Sequence, residues 1–133
     1  MRVAELMQTD LKTISVDATV ADAVEALAIA RVSALPVLDR HGRAVGVLTT
    51  RDILLAEARW RMPEERERHF EQTRVLEVMT PWPATIPPDA DSREAAREML
   101  YLDVQRLFVE DHGVLVGVIS QTDIVDAVAG ARI

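Results

Sequence analysis

A motif that occurs twice constrains the fold of this chain more strongly than any other feature of its sequence. Gly46–Ile53 reads GVLTTRDI, and Gly117–Ile124 reads GVISQTDI. In both copies a glycine and two aliphatic residues precede a hydroxyl residue, two variable positions, an aspartate and an isoleucine. This pattern predicts a short buried strand that ends where a helix begins. Because about half of the 133-residue chain separates the two copies, the sequence predicts two versions of one structural unit.

The residues around each motif predict one order of elements: a strand, a helix, two strands and a helix. The first half is predicted to contain strands at Thr13–Val16, Leu35–Leu38 and Ala44–Leu48 and helices from Val20 to Val32 and from Thr50 or Asp52 onward. The pattern begins again in the second half, where Met79 corresponds to Met7. We therefore predict a first repeat at 1–58, a charged helical connector at 59–74 and a second repeat at 75–133.

The predicted connector mixes charged residues with scattered aromatics. Glu64–Arg68 contains both signs of charge, as is typical of a solvated helix with intrahelical ion pairs. Pro63 is expected in the first turn of a new helix, because proline fits that turn better than a helix interior. Trp60 and Phe70 are expected to cover the core or to face another chain.

The composition argues against several classes of protein. The chain contains no cysteine, which excludes disulfides and thiol nucleophiles and fits a cytoplasmic location. Its net charge of −7 disfavours binding to nucleic-acid polymers. No apolar run approaches the roughly 18 residues of a membrane span, so we predict neither a signal peptide nor a membrane association. The chain has no nucleophile elbow, Walker loop or His-Glu-x-x-His motif, and we predict that it is not an enzyme.

These residues together resemble the CBS domain family, in the paired arrangement called a Bateman module. The resemblance depends on Met79-Thr80, on the Thr-Ile strands, on Leu35-Pro36-Val37 and on the duplicated glycine-to-aspartate motif. It implies an α/β (α+β) fold of two tandem β-α-β-β-α repeats, packed sheet to sheet with pseudo-twofold symmetry and with a cleft between them. It also implies a homodimer that requires no cofactor, binds an adenine nucleotide (AMP, ADP or ATP) or an S-adenosyl compound, and regulates a separate protein.

The resemblance indicates candidate ligand-binding residues at the strand ends and helix starts of both repeats. In the first repeat they are Thr13, Ile14, Ala34, Pro36, Thr49, Arg51 and Asp52. In the second repeat they are Thr85, Ile86, Arg106, Leu107, Ser120, Thr122 and Asp123. An aspartate at a helix start can accept both hydroxyls of a ribose. Hydroxyl side chains and helix N-terminal N–H groups suit a phosphate, and aliphatic strand ends suit a planar base.

The second repeat is predicted to be the better site. Arg106 precedes its central strand, at a position where family members that hold phosphates often carry a basic residue, whereas Ala34 occupies the corresponding place in the first repeat. One substitution acts against this prediction: Phe108 stands where proline is usual, and its ring either fills the base slot or packs in the core.

Each candidate residue also has a purely structural interpretation. Asp52 and Asp123 can act only as helix caps, and Thr49 and Ser120 only as turn hydroxyls. Arg106 can be a surface ion-pair partner. The histidines are expected in solvated segments and not in a metal site, because no companion ligands lie at metal-binding spacing; they are His41, His69 and His112.

Two functions follow from these alternatives. The first is a stand-alone regulatory module that senses an adenine nucleotide and signals to a separate partner. The second is a structural or partner-binding scaffold with vestigial clefts, which Phe108 and Ala34 favour. Fold alone does not decide between them, because one fold supports many functions.

Overall fold

The structure, a computed structural model, describes residues 1–60, 62–81 and 83–131. Residues 61, 82, 132 and 133 of the predicted connector and second repeat lie outside these described residues. In chain order the elements are α1 (Val3–Leu6), β1 (Ile14–Ser15), α2 (Val20–Ala30), β2 (Ala34–Leu38), β3 (Ala44–Thr49), α3 (Thr50–Arg59), α4 (Pro63–Gln72), α5 (Val75–Val78), β4 (Thr80–Pro81), β5 (Thr85–Ile86), α6 (Ser92–Leu102), β6 (Arg106–Asp111), β7 (Val114–Ser120) and α7 (Gln121–Ala131). This order confirms the predicted mixed α/β fold with a duplicated strand-helix-strand-strand-helix pattern.

The chain divides into two compact units whose boundaries differ from those of the sequence repeats. The continuous unit is Lys12–Pro83. The discontinuous unit combines Met1–Leu11 with the residues from Ala84 onward. The first eleven residues therefore pack with the second half of the chain, and α5 and β4 pack with the first half. The predicted repeats, 1–58 and 75–133, describe where the sequence pattern recurs, and their boundaries stay a prediction.

The continuous unit contains a four-stranded sheet in the order β1-β2-β3-β4. β1 lies parallel to β2, and the other neighbouring strands are antiparallel. α2 begins with a capping box between Thr19 and Asp22 and ends at Ala30, because the next residue, Arg31, adopts a left-handed conformation with φ of 54°. That conformation stops the helix two residues before the predicted end at Val32. Buried aliphatic side chains form the core, namely Ile14, Ala23, Leu27, Leu35, Val37, Leu48 and Val75.

The discontinuous unit contains a three-stranded sheet in the order β5-β6-β7. The short helix α1 completes this unit, because Val3 is fully buried in its core. The Val3 N–H group donates to the carbonyl of Ala90 at 2.8 Å. Gln8 pairs with Val118 through two backbone hydrogen bonds of 2.8 and 3.0 Å. A helix of four residues has little stability of its own, so these tertiary contacts hold it in place.

The glycine that opens each duplicated motif allows this close packing. A Cβ atom on Gly46 would lie 2.7 Å from Met79 Sδ and 2.7 Å from the carbonyl oxygen of Thr80. A Cβ atom on Gly117 would lie 2.5 Å from Met7 Sδ. In each copy of the motif the glycine therefore forms part of the surface against which a methionine segment packs. These methionine segments are Met7-Gln8 on Gly117 and Met79-Thr80 on Gly46.

The connector forms a helix that packs within the continuous unit. α4 begins at Pro63, as predicted, and contacts α2. Trp60 is buried, stacks on His69 with ring centroids 4.7 Å apart, and meets Phe70 edge to face at 5.1 Å. These contacts support the prediction that the aromatics cover the core. Across the described ranges, no helix has the length and apolar content needed to cross a membrane.

Candidate functional site

Asp52 lies at the junction between β3 and α3 and is only 9% exposed. Thr49 caps the helix: its Oγ1 accepts from the Asp52 N–H group at 3.2 Å, and its own N–H group donates to Asp52 Oδ2 at 2.9 Å. The Thr49 hydroxyl also donates to Asp52 Oδ2, at 3.1 Å. The other carboxylate oxygen, Oδ1, accepts from the hydroxyl of Thr80 at 3.2 Å. The carboxylate is therefore held from both sides.

Asp123 occupies the corresponding junction between β7 and α7 and is half-buried. Its Oδ2 accepts from the Ser120 N–H group at 2.9 Å, and its own N–H group donates to Ser120 Oγ at 3.2 Å. Its Oδ1 accepts from Gln8 Nε2 at 3.1 Å. Both aspartates therefore stabilise helix starts, but as the third helical residue of a capping box and not as the N-cap that the structural interpretation proposed; the N-caps are Thr49 and Ser120. A ligand contact through the remaining acceptor capacity is compatible with this role and stays a prediction.

The strand register supports the comparison between Arg106 and Ala34. Arg106 lies opposite Ser120 across β6 and β7, and Ala34 lies opposite Thr49 across β2 and β3. The two residues thus occupy the same position relative to the duplicated motif. Arg106 is half-buried, and this burial lowers the pKa of its guanidinium below the ordinary value. Arginine nevertheless stays cationic in proteins at neutral pH, so only the discontinuous unit has a cation at this position.

The other candidate residues separate into exposed polar groups and buried framework. The exposed ones are Thr13, Arg51, Thr85 and Thr122, and the buried ones are Ile14, Pro36, Ile86 and Leu107. Arg51 and Thr122 lie in the first turns of α3 and α7. Phe108 is 2% exposed, and this burial fits both alternatives for its ring, a filled base slot and packing in the core. Each candidate set lies entirely within one compact unit, the first in the continuous unit and the second in the discontinuous unit.

Sequence reasoning missed Gln8 and Thr80 as members of these sites. Both residues follow a methionine, and the Met-Thr pair served only as evidence of fold. The contact between Gln8 and Asp123 spans 115 positions of sequence, a distance at which no local pattern identifies a partner. The repeat itself was the available signal, because Gln8 and Thr80 occupy corresponding positions in its two copies.

The histidines lie away from both junctions. His41 and His112 are exposed in the turns between paired strands, and His112 Nδ1 lies 2.7 Å from Asp111 Oδ1. Among the described residues, no three histidine, cysteine, aspartate or glutamate side chains are arranged to hold a metal ion.

Comparison with known proteins gives consistent results. The family model of the CBS domain matches residues 3–59 and 75–130. A CBS domain-containing protein from Dictyostelium discoideum is 34% identical over 128 residues, which cover 93% of this chain and 88% of that protein. Inosine-5'-monophosphate dehydrogenase from Methanocaldococcus jannaschii is 31% identical over 121 residues, and the match covers 90% of this chain but only 22% of the dehydrogenase.

Among solved structures, that of CBSX2 in complex with AMP is similar over nearly the whole chain. It superposes with a TM-score of 0.84 at 27% sequence identity, and the match covers 99% of this chain and 98% of CBSX2. CBSX2 is a CBS-pair protein from Arabidopsis thaliana.

Proposed function

Since this chain belongs to the CBS domain family, as its duplicated motif predicted, we propose that it is a regulatory module that binds an adenine nucleotide and signals to a separate protein. The solved relative that contains AMP supports this choice of ligand, because it matches both repeats of the chain. We propose a regulatory and not a catalytic role.

The observation that carries the proposal is the environment of Asp123. Its carboxylate is held by one donor on each oxygen, from Ser120 and Gln8, and it is half-buried at the start of a helix. In the proposed complex Asp123 accepts the ribose hydroxyls, and the N–H groups at the start of α7 together with Ser120 and Thr122 bind phosphate. The cation of Arg106, at the strand position opposite Ser120, adds attraction for that phosphate.

In the continuous unit the proposed contacts are weaker. Asp52 and Thr49 have the corresponding positions, and Arg51 in the first turn of α3 offers an exposed cation. Ala34 contributes no charge opposite Thr49. We therefore propose that the discontinuous unit has the higher affinity for the ligand.

A scaffold without a ligand is the second candidate, and one observation favours it. Both aspartates are already engaged in capping hydrogen bonds, so the fold itself accounts for their presence. In that case the module would act only by binding another protein.

We further propose that the chain forms a homodimer. Leu54 of α3 and Val125 of α7 occupy corresponding positions of the two repeats and are 68% and 64% exposed. A second copy would cover such aliphatic surface, and light scattering at micromolar concentration should give twice the chain mass of 14.8 kDa. The cytoplasmic location stays a prediction.

The test of ligand binding is thermal unfolding with AMP, ADP, ATP and S-adenosylmethionine. A ligand that binds only the folded protein adds about 2.7 kcal/mol of stability at a hundred times its Kd. For a chain of this size, that corresponds to a rise in Tm of several degrees. The rise should be lost or strongly reduced in Asp123→Asn, because an amide nitrogen cannot accept a hydrogen bond from a ribose hydroxyl. If none of the four compounds raises the Tm, the scaffold function is favoured instead.

A further inference from the structure

Both aspartates are contacted by a side chain that belongs to the other sequence repeat. Thr80 follows Met79 at the start of the second repeat, and its hydroxyl donates to Asp52 in the first. Gln8 follows Met7 in the first repeat, and its amide donates to Asp123 in the second. The backbone of each donor is fixed, because Thr80 pairs with Val47 and Gln8 pairs with Val118. The donors are therefore built into the two junctions.

The two carboxylates differ in how much acceptor capacity is already used. An ionised carboxylate has about four acceptor positions. Within the described parts of the chain, Asp52 accepts three hydrogen bonds, from the Thr49 N–H group, the Thr49 hydroxyl and the Thr80 hydroxyl. Asp123 accepts two, one on each oxygen, from Ser120 and Gln8. A ribose diol that donates two hydrogen bonds thus matches Asp123 directly. At Asp52, Oδ2 already accepts both bonds from Thr49, so a diol can donate two bonds only to Oδ1, and the Thr80 hydroxyl must first leave that oxygen.

Resting on the proposed function, we infer that the hydroxyl of Thr80 occupies an acceptor position of Asp52 that a ribose hydroxyl needs. It thereby makes the continuous unit the weaker ligand site. Thr80 thus sets the affinity of this site for the ligand, although the carboxylate that contacts the ligand belongs to Asp52. Gln8 has a different effect, because Asp123 keeps one acceptor position on each oxygen while the amide is bound.

The burial of Asp52 gives this inference a distinctive consequence. Asp52 is only 9% exposed, so water poorly replaces a hydrogen-bond donor that its carboxylate has lost. The carboxylate therefore gains more from a new donor on the ligand. Removing the Thr80 hydroxyl should therefore lower the stability of the ligand-free protein and, at the same time, strengthen ligand binding. Simple damage to the fold would lower the stability and weaken binding.

The experiment is calorimetric titration of AMP into variants in which one aspartate is disabled. In Asp123→Asn only the continuous unit retains its carboxylate, and adding Thr80→Val to that background should tighten AMP binding by about tenfold, the effect of one hydrogen bond to a charged group. Thr80→Ala removes the same hydroxyl and should act in the same direction. Thr80→Ser keeps a hydroxyl and should leave the Kd unchanged. In Asp52→Asn, adding Gln8→Met should give no gain.

The outcomes separate the inference from the proposed function. Tighter AMP binding with Thr80→Val and Thr80→Ala, but not with Thr80→Ser or Gln8→Met, supports the inference. If the wild-type protein binds AMP and Thr80→Val leaves the Kd unchanged or raises it, the inference is overturned while the proposed function stands. If the wild-type protein and every variant fail to bind AMP, the proposed function is overturned and the inference with it.

Discussion

Gly117 offers the sharpest test of how the methionine segments are packed. In Gly117→Ala, the new Cβ atom would lie 2.5 Å from Met7 Sδ and 3.0 Å from the carbonyl oxygen of Gln8. Both distances are shorter than an ordinary van der Waals contact, so Met7 must move. Overpacking of this kind costs about 1–3 kcal/mol of unfolding free energy. For a chain of this size, we expect the Tm to fall by roughly 3–10 °C.

The assay is urea unfolding followed by circular dichroism, with Gly130→Ala as the matched control. A Cβ atom at Gly130 meets no atom within 4 Å, and the residue lies in α7. Alanine favours helix more than glycine does, so the control should be as stable as the wild type or slightly more stable. Equal stability of Gly117→Ala and Gly130→Ala would refute the packing argument.

A double-mutant cycle identifies the clashing atom. Because the nearest atom to the new Cβ belongs to a flexible side chain, Met7→Ala should relieve much of the cost of Gly117→Ala, with a coupling energy of about 0.5–3 kcal/mol. At Gly46 the situation differs, since the carbonyl oxygen of Thr80 lies as close as Met79 Sδ, both at 2.7 Å. Met79→Ala should therefore fail to rescue Gly46→Ala. Rescue at both glycines would show that the backbone contact at Gly46 has no effect.

Three further measurements test other features. Asp123→Ala should weaken AMP binding more than Asp52→Ala, and equal changes in Kd would contradict the asymmetry. The backbone N–H group of Arg93 lowers the pKa of the Asp91 carboxyl from its ordinary 3.8, so its contribution to stability should be present above pH 3.8 and lost as the pH falls further. Urea midpoints between pH 6 and pH 2 should show this loss, and a smaller one in Asp91→Asn. His69→Ala should cost about 0.5–1.5 kcal/mol by removing the stack on Trp60, and an unchanged urea midpoint would exclude a stabilising stack.

The sequence predicted the elements well because their signals are local. The alternation of apolar residues and the position of Pro63 define strands and a helix start within a few residues of chain. The duplicated motif also aligned Arg106 with Ala34 before the strand register confirmed it. These features depend on neighbours in sequence, and the strands occur in both repeats, so that one copy supports the other.

The sequence did not predict which sheet each methionine segment joins. Nothing in residues 1–11 distinguishes packing against the nearby strands from packing against strands a hundred residues away. The choice depends on tertiary contacts, such as the burial of Val3 beside Ala90 and the fit of Met7 on Gly117. The donors Gln8 and Thr80 were missed because their partners lie far away in sequence. Strand β4 was not predicted because Thr80-Pro81 shows no alternation of apolar residues and contains a proline, which is disfavoured in strands.

The discontinuous unit has a consequence for the order in which the chain can fold during synthesis. Lys12–Pro83 holds every strand of its own sheet, so it can form its contacts once those residues have left the ribosome. The first eleven residues leave earlier, but their place on β7 does not exist until Val118 has been made. Residues 1–11 are therefore made before the rest of their unit but reach their final contacts only after β7 has been made.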